Sequence, residues 1–87
     1  HTAQIGKWHT GNDAGFGRDW DYQVVWNRPR HPDNAGAYYA RQLLGFNGVE
    51  REQDGYPADN YTRWAVEYVR GANRDRDKPW FLWLCYG

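Results

Sequence analysis

The alternation of apolar and polar positions along the chain predicts three β-strands. Residues 2–8 are expected to form a short strand that runs into a glycine-rich turn, because glycines lie at position 6 and then at positions 11, 15 and 17. Between positions 20 and 26, large apolar side chains occupy every even position, which is the period of two of a half-buried strand. Residues 80–86 are apolar throughout, as in a strand that is covered on both faces of an α/β sheet.

Two other stretches have the spacing of amphipathic helices. The clearer helix follows Asp59 or Asn60, either of which can cap it. Its apolar face consists of Tyr61, Trp64, Ala65, Tyr68, Val69 and Ala72. A second helix is predicted to begin at Asp33 or Asn34 and to end at Gly45. Its apolar face consists of Tyr39, Ala40, Leu43 and Leu44. Loops are expected at residues 28–32, 46–57 and 74–79.

The uncharged strand at residues 80–86 has a consequence for the extent of the protein. Without neighbouring strands such a segment would be an aggregation-prone edge, so we expect its neighbours to come from polypeptide outside these residues. The sequence begins at His1, contains no methionine and stops at Gly87, directly after the apolar run. At 87 residues it is also shorter than a usual domain of roughly 100 to 150 residues. We therefore expect an internal fragment of a longer protein.

Composition narrows the possible partners. Basic and acidic residues both number 11 and are interspersed, so no basic face is expected to attract nucleic acid. The longest apolar run is far shorter than the roughly 20 residues of a membrane-spanning helix. Cys85 is the only cysteine and cannot form an internal disulfide. Six tryptophans and seven tyrosines are enough either for an aromatic core or for platforms that stack on sugars.

The candidate chemistry lies in the stretch IGKWHTG, residues 5–11. Side chains two apart on a strand point to the same side, so Lys7 and His9 are expected to face one place while Trp8 faces the other. In open α/β sheets, ligands collect at the carboxyl ends of the strands. An ammonium and an imidazole there suit a tetrahedral oxyanion such as sulfate or phosphate. On spacing alone, a solvated lysine and a hydrogen-bonded turn histidine are the commoner explanation.

The residues around this pair resemble a known family. The segment TAQIGKWHTG, residues 2–11, resembles the G-K-W-H-x-G signature of the type I sulfatases of the alkaline phosphatase superfamily. Weaker similarities follow in Gly15-Phe16-Gly17 with Asp19, in the helix start at residues 56–61, and in DKPWFLWL at residues 77–84. No motif matches residues 29–55. The resemblance implies a fragment of a three-layer α/β sandwich with a mostly parallel sheet, and residues 1–87 would lie within a single sulfatase catalytic domain.

The resemblance also implies roles for two side chains. The lysine that corresponds to Lys7 contacts both the sulfate and a formylglycine nucleophile in sulfatases. The histidine that corresponds to His9 hydrogen-bonds the hydrated aldehyde and later removes its remaining proton, so that sulfate is expelled. Lys7 and His9 are thus the predicted catalytic and substrate-binding residues.

The other components that the resemblance implies lie outside this chain. The C-x-P-S-R segment that becomes formylglycine, the ligands of a Ca²⁺ ion and an H-x-P histidine are all expected there. No metal ligand is assigned within residues 1–87, and Cys85 lacks the Pro and Arg pattern of the nucleophile. The implied substrate is a sulfated small molecule or carbohydrate, and the family is compatible with export to the periplasm or the medium. Thr10 replaces a common leucine, and His1, His31 and Asp59 are given structural roles only.

Three alternatives remain open. A phosphonate or phosphate ester hydrolase of the same superfamily can share the lysine and the histidine. A sulfatase-like protein that has lost its nucleophile would keep the fold. A non-catalytic carbohydrate-binding piece would expose several aromatic rings on one face, whereas the periodicities assign five tryptophans to the core: Trp20, Trp26, Trp64, Trp80 and Trp83.

Overall fold

The computed structural model describes residues 1–32 and 38–87. Within them lie five strands and one helix. The elements are β1 (Thr2–Trp8), β2 (Tyr22–Asn27), β3 (Gln42–Phe46), β4 (Val49–Gln53), α1 (Pro57–Val69) and β5 (Phe81–Cys85). All five strands form one sheet in the order β4-β3-β2-β1-β5. The α/β class expected from the sequence is therefore confirmed.

The sheet is mixed and not mostly parallel. Strand β1 pairs in parallel with β2 on one side and with β5 on the other. The pairs β2–β3 and β3–β4 are antiparallel. A tight turn at Asn47 and Gly48, both with positive φ, joins β3 to β4. Asn-Gly is the strongest short hairpin signal, so the expectation of a plain loop over residues 46–57 was wrong where β4 forms.

The predicted second helix is also corrected. Asp33 and Asn34, its expected start, lie outside the described residues, but residues 42–46 form strand β3. Leu44 is buried against the core, while Leu43, one position earlier, points to the other face. Two adjacent leucines fit one face of a helix and two faces of a strand equally well. Pairing with β2 decided between the two structures, which local spacing cannot do.

Helix α1 covers one face of the sheet. The tyrosines Tyr61 and Tyr68 are buried with Ile5, Val24 and Trp26. The predicted apolar face is thus confirmed at its centre. The helix begins earlier than expected, at Pro57, and neither predicted residue caps it: the N-cap position is Tyr56, which makes no side-chain capping bond. The amide of Asn60 instead donates to the carbonyl of Asp54 at 2.9 Å.

The assignment of five tryptophans to the core was only partly right. Trp26 is fully buried and Trp64 packs against the core, but Trp80 and Trp83 are 44% and 43% exposed. Trp20 precedes β2 and is only partly buried. The reason is that β5 forms an edge of the sheet, so a segment with the composition of a central strand is open on one side.

A polar network holds the loop before β2 against the face of the sheet opposite α1. The buried amide of Gln23 donates to Gln4 at 3.0 Å and to the carbonyl of Ala14 at 2.9 Å. The amide of Asn27 donates to the carbonyl of Asn12 at 2.7 Å. Buried polar groups need such partners. These bonds fix the path of the chain as it leaves β1.

The buried phenol of Tyr61 gives a testable pH dependence. Burial raises its pKa above the usual value, and a hydrogen bond to Gln42 only partly offsets this. The native state therefore binds the phenolic proton more tightly than the unfolded chain. Stability is retained below the unfolded pKa of about 10 and falls as the pH rises above it.

We expect Tyr61→Phe to be less stable at neutral pH, by about 1 kcal/mol, because Gln42 loses a donor. The same variant should lose less stability than the parent between neutral pH and pH values above about 10. Denaturant unfolding at several alkaline pH values measures both effects. If the parent and the variant lost the same amount of stability at alkaline pH, the pH dependence could not be attributed to the buried phenol of Tyr61.

Candidate functional site

The carboxyl ends of three parallel strands, β2, β1 and β5, lie beside one another at one end of the sheet, which we call the carboxyl edge. In the register of β1 with β2, Trp8 lies opposite Asn27, and in that of β1 with β5, Gly6 lies opposite Cys85. The ends of β1 and β2 are therefore side by side, and β5 ends two residues earlier, opposite Gly6. This is the position at which open α/β sheets bind ligands.

Both predicted site residues lie at this edge. Lys7 is the penultimate residue of β1 and is half-buried, and His9 follows the strand and is exposed. The two line one cavity of about 290 Å³. The other lining residues are Trp8, Thr10, Trp83, Cys85 and Tyr86. The arrangement can present an ammonium and an imidazole to one small ligand.

The backbone at Gly6 explains why a glycine precedes this lysine. Gly6 has a φ of +110°, and a β-carbon built on it would lie 1.8 Å from the carbonyl oxygen of Cys85. Only a residue without a side chain allows β5 to approach β1 so closely. The buried amide of Gln4 also donates to the Gly6 carbonyl at 3.1 Å. Gly6 thus sets how the two strands end beside Lys7.

The amine of Lys7 is held by an aromatic residue that sequence reasoning did not single out. The ammonium donates to the hydroxyl of Tyr38 at 3.2 Å and lies 5.2 Å from the centre of its ring. The ring of Tyr38 packs edge to face on Trp26, with centroids 4.8 Å apart. Within residues 1–32 and 38–87, no carboxylate pairs with Lys7 or with His9. The charge of the lysine therefore remains available to an anion.

A second cation, Arg28, lies at the carboxyl edge. Arg28 is the first residue after β2, and its backbone N–H donates to the carbonyl of Trp8 at 3.1 Å. Its guanidinium lies 4.9 Å from the ring centre of Trp26 and donates to the carbonyl of Pro32 at 2.9 Å. The alternating pattern that ends at position 26 could have identified Arg28, because the residue that follows a parallel strand is a candidate ligand contact.

The remaining candidates have structural partners. His1 lies directly before β1, at the end of the strand opposite Lys7, and its Nδ1 lies 3.0 Å from the Tyr68 hydroxyl. The Nε2 of His31 pairs with Glu50 at 2.5 Å. Cys85 carries a free thiol, and burial raises its pKa, which disfavours the nucleophilic thiolate. His1 and His31 thus have the structural roles given to them from the sequence.

The described part of the chain contains neither a metal-binding cluster nor a membrane-spanning helix. Among the residues that the structure describes, no three histidine, cysteine or acidic side chains gather closely enough to hold a metal ion. No helix in the described ranges is long and apolar enough to cross a membrane.

No protein-family model matches this sequence, and no curated protein is significantly similar to it.

Proposed function

We propose that this chain is part of a sulfatase that hydrolyses sulfate esters, with Lys7 and His9 at the sulfate site. The observation that carries the proposal is that both side chains line one cavity at the carboxyl end of β1. The G-K-W-H-x-G resemblance predicts the same two residues, and the free charge of Lys7 suits a sulfate oxygen.

The two side chains have different tasks in this proposal. The ammonium of Lys7, oriented by the Tyr38 hydroxyl, donates hydrogen bonds to sulfate oxygens and offsets the negative charge that grows on them in the transition state. The imidazole of His9 is exposed at the cavity and, in this proposal, accepts and returns the proton. A formylglycine residue from outside this chain would supply the nucleophilic oxygen, and Ca²⁺ bound outside it would stabilise negative charge.

A phosphonate or phosphate ester hydrolase is the nearest alternative, since Lys7 and His9 suit any tetrahedral oxyanion. The test uses the full-length protein that contains this chain. We expect a C-x-P-S-R or S-x-P-x-R segment upstream of His1, and we expect the purified protein to hydrolyse 4-nitrophenyl sulfate faster than the corresponding phosphate. Absence of that segment, or preference for the phosphate, would refute the sulfatase proposal.

A carbohydrate-binding role receives support from one observation. Trp83 is exposed and contacts Trp8 and Trp20 at centroid distances of 5.6 and 5.9 Å, so three indole rings lie together near the edge strand. Such rings can stack on sugars. Sugar binding by the full-length protein that survives Lys7→Ala and is lost in Trp83→Ala, without ester hydrolysis in the parent, would favour this role.

The Tyr38 hydroxyl gives a prediction about the orientation of Lys7. Tyr38→Phe keeps the ring on Trp26 and removes only the acceptor for the lysine amine. We expect kcat/KM for a sulfate ester to fall by roughly two- to tenfold, which corresponds to one hydrogen bond. Steady-state kinetics of the full-length variant measures the effect, and thermal unfolding checks that the fold is retained. An unchanged kcat/KM would mean that the hydroxyl does not position Lys7.

A further inference from the structure

The cations at the carboxyl edge are linked by a row of aromatic rings. Lys7 lies over Tyr38, Tyr38 packs on Trp26, and the guanidinium of Arg28 lies over Trp26. We call these four residues the cation–aromatic row. The Trp26 ring is fully buried, whereas Tyr38 is 43% exposed between the two cations. The row therefore presents one positive charge at each end and an accessible ring between them.

The second charge, on Arg28, is held in place by a carbonyl group and an aromatic ring. Among the residues that the structure describes, no carboxylate pairs with Arg28, as is also true of Lys7 and of five further arginines. Two contacts hold the Arg28 side chain, the Pro32 carbonyl and the Trp26 ring. A guanidinium has five N–H donors in a planar fork, so most of them remain for a carboxylate or a sulfate. Ordering the side chain in advance lowers the entropic cost of binding.

We propose that Arg28 is a specificity residue that binds a second anionic group of the substrate while Lys7 binds the group to be hydrolysed. The substrate is then a sulfated carbohydrate that carries a carboxylate or a further sulfate, with its sugar ring over Tyr38. This inference rests on the proposed hydrolysis of sulfate esters at Lys7 and His9. It narrows the substrate class from any sulfate ester to polyanionic carbohydrates.

The experiment compares two substrates that differ only in the second charge. One is a sulfated disaccharide with a uronate carboxylate, and the other is its counterpart in which the carboxyl group is reduced to an alcohol. In the full-length protein, we expect Arg28→Gln to lower kcat/KM for the uronate by about tenfold or more, mainly through KM, because a charge-assisted hydrogen bond is lost. For the neutral counterpart the loss should stay under about threefold. Equal losses on both substrates, or none on the uronate, would overturn the inference.

Arg30→Gln is the matched control. Arg30 lies two residues further on, and its guanidinium is 3.6 Å from the carboxylate of Glu50. We expect kcat/KM of this variant for both substrates to equal that of the parent. Arg28→Lys keeps the charge but loses the planar fork, so it should retain part of the preference for the uronate substrate over the neutral one. Circular dichroism establishes that each variant is folded.

A binding measurement separates failure of the inference from failure of the proposed function. Sulfamate analogues of the same two disaccharides are titrated into the parent and into Arg28→Gln by calorimetry. A preference for the uronate analogue that disappears in Arg28→Gln supports the inference even if the parent hydrolyses only phosphate esters. Equal affinity of the parent for both analogues, or no binding of either, overturns it whatever ester the protein hydrolyses.

Discussion

Gly6→Ala is expected to prevent normal folding of the protein. The new methyl group would lie 1.8 Å from the carbonyl oxygen of Cys85, and both atoms belong to rigid backbone. Relief requires β5 to move away from β1, which breaks their pairing. The positive φ of +110° adds strain of about 1 to 3 kcal/mol. We expect little soluble, folded full-length protein, measured by expression yield and circular dichroism.

Gly11→Ala is the control for this prediction. Gly11 has a φ of +112°, nearly equal to that of Gly6, but no atom lies within 4 Å of a β-carbon built there. The variant therefore carries the conformational strain without the collision. It should fold and lose only about 1 to 3 kcal/mol of stability in denaturant unfolding. Similar behaviour of the two variants would mean that strain, and not the approach of β5, makes Gly6 necessary.

Removal of either proposed catalytic side chain is expected to have the largest effect on activity. In the proposed mechanism, Lys7→Ala removes the donor and the charge that would face the sulfate, and His9→Ala removes the group that would move the proton. We expect each to lower kcat for sulfate ester hydrolysis by roughly 10² or more. The stability of His9→Ala should change by less than about 0.5 kcal/mol, as is usual for an exposed residue, whereas Lys7→Ala should lose about 1 kcal/mol, because its hydrogen bond to Tyr38 is removed. Turnover and thermal unfolding of the full-length variants measure both expectations.

The chain offers a matched control for each variant. The amine of Lys78 pairs with Asp75 at 3.9 Å in the turn before β5, at the opposite end of that strand from Cys85. His31 pairs with Glu50 beside β4. Lys78→Ala and His31→Ala should leave turnover within about twofold of the parent. If Lys7→Ala or His9→Ala behaved like these controls, the proposed roles would be wrong.

The elements that sequence predicted well are those with a long or unambiguous period. Helix α1 repeats its apolar residues over three turns, and large apolar residues occupy every even position from 20 to 26 around β2, so each pattern favours one structure. The stretch that contains Leu43 and Leu44 is too short to distinguish a helix from a strand. Its pairing with β2 and β4 determined the outcome. The Asn47-Gly48 turn was a local signal for this hairpin that the sequence interpretation did not use.

The candidate site likewise combines residues that local sequence predicts with residues that only folding brings together. Lys7 and His9 could be predicted because their chemistry and their spacing lie within three consecutive residues at the end of one strand. Tyr38 could not be assigned to the same site in this way. Tyr38 is 31 residues from Lys7, and their hydrogen bond exists only because the chain returns to the edge where β1 and β2 end.

The sequence by itself determined the α/β class, the position of the main helix and the two side chains at the tip of β1. Tertiary structure alone decided that the sheet is mixed, that the apolar β5 lies at its edge and that two cations share one pair of aromatic rings. The physical reason is the range of the interactions. Side-chain periodicity and turn chemistry act between neighbours along the chain, whereas strand order and ring contacts depend on residues that meet only after folding.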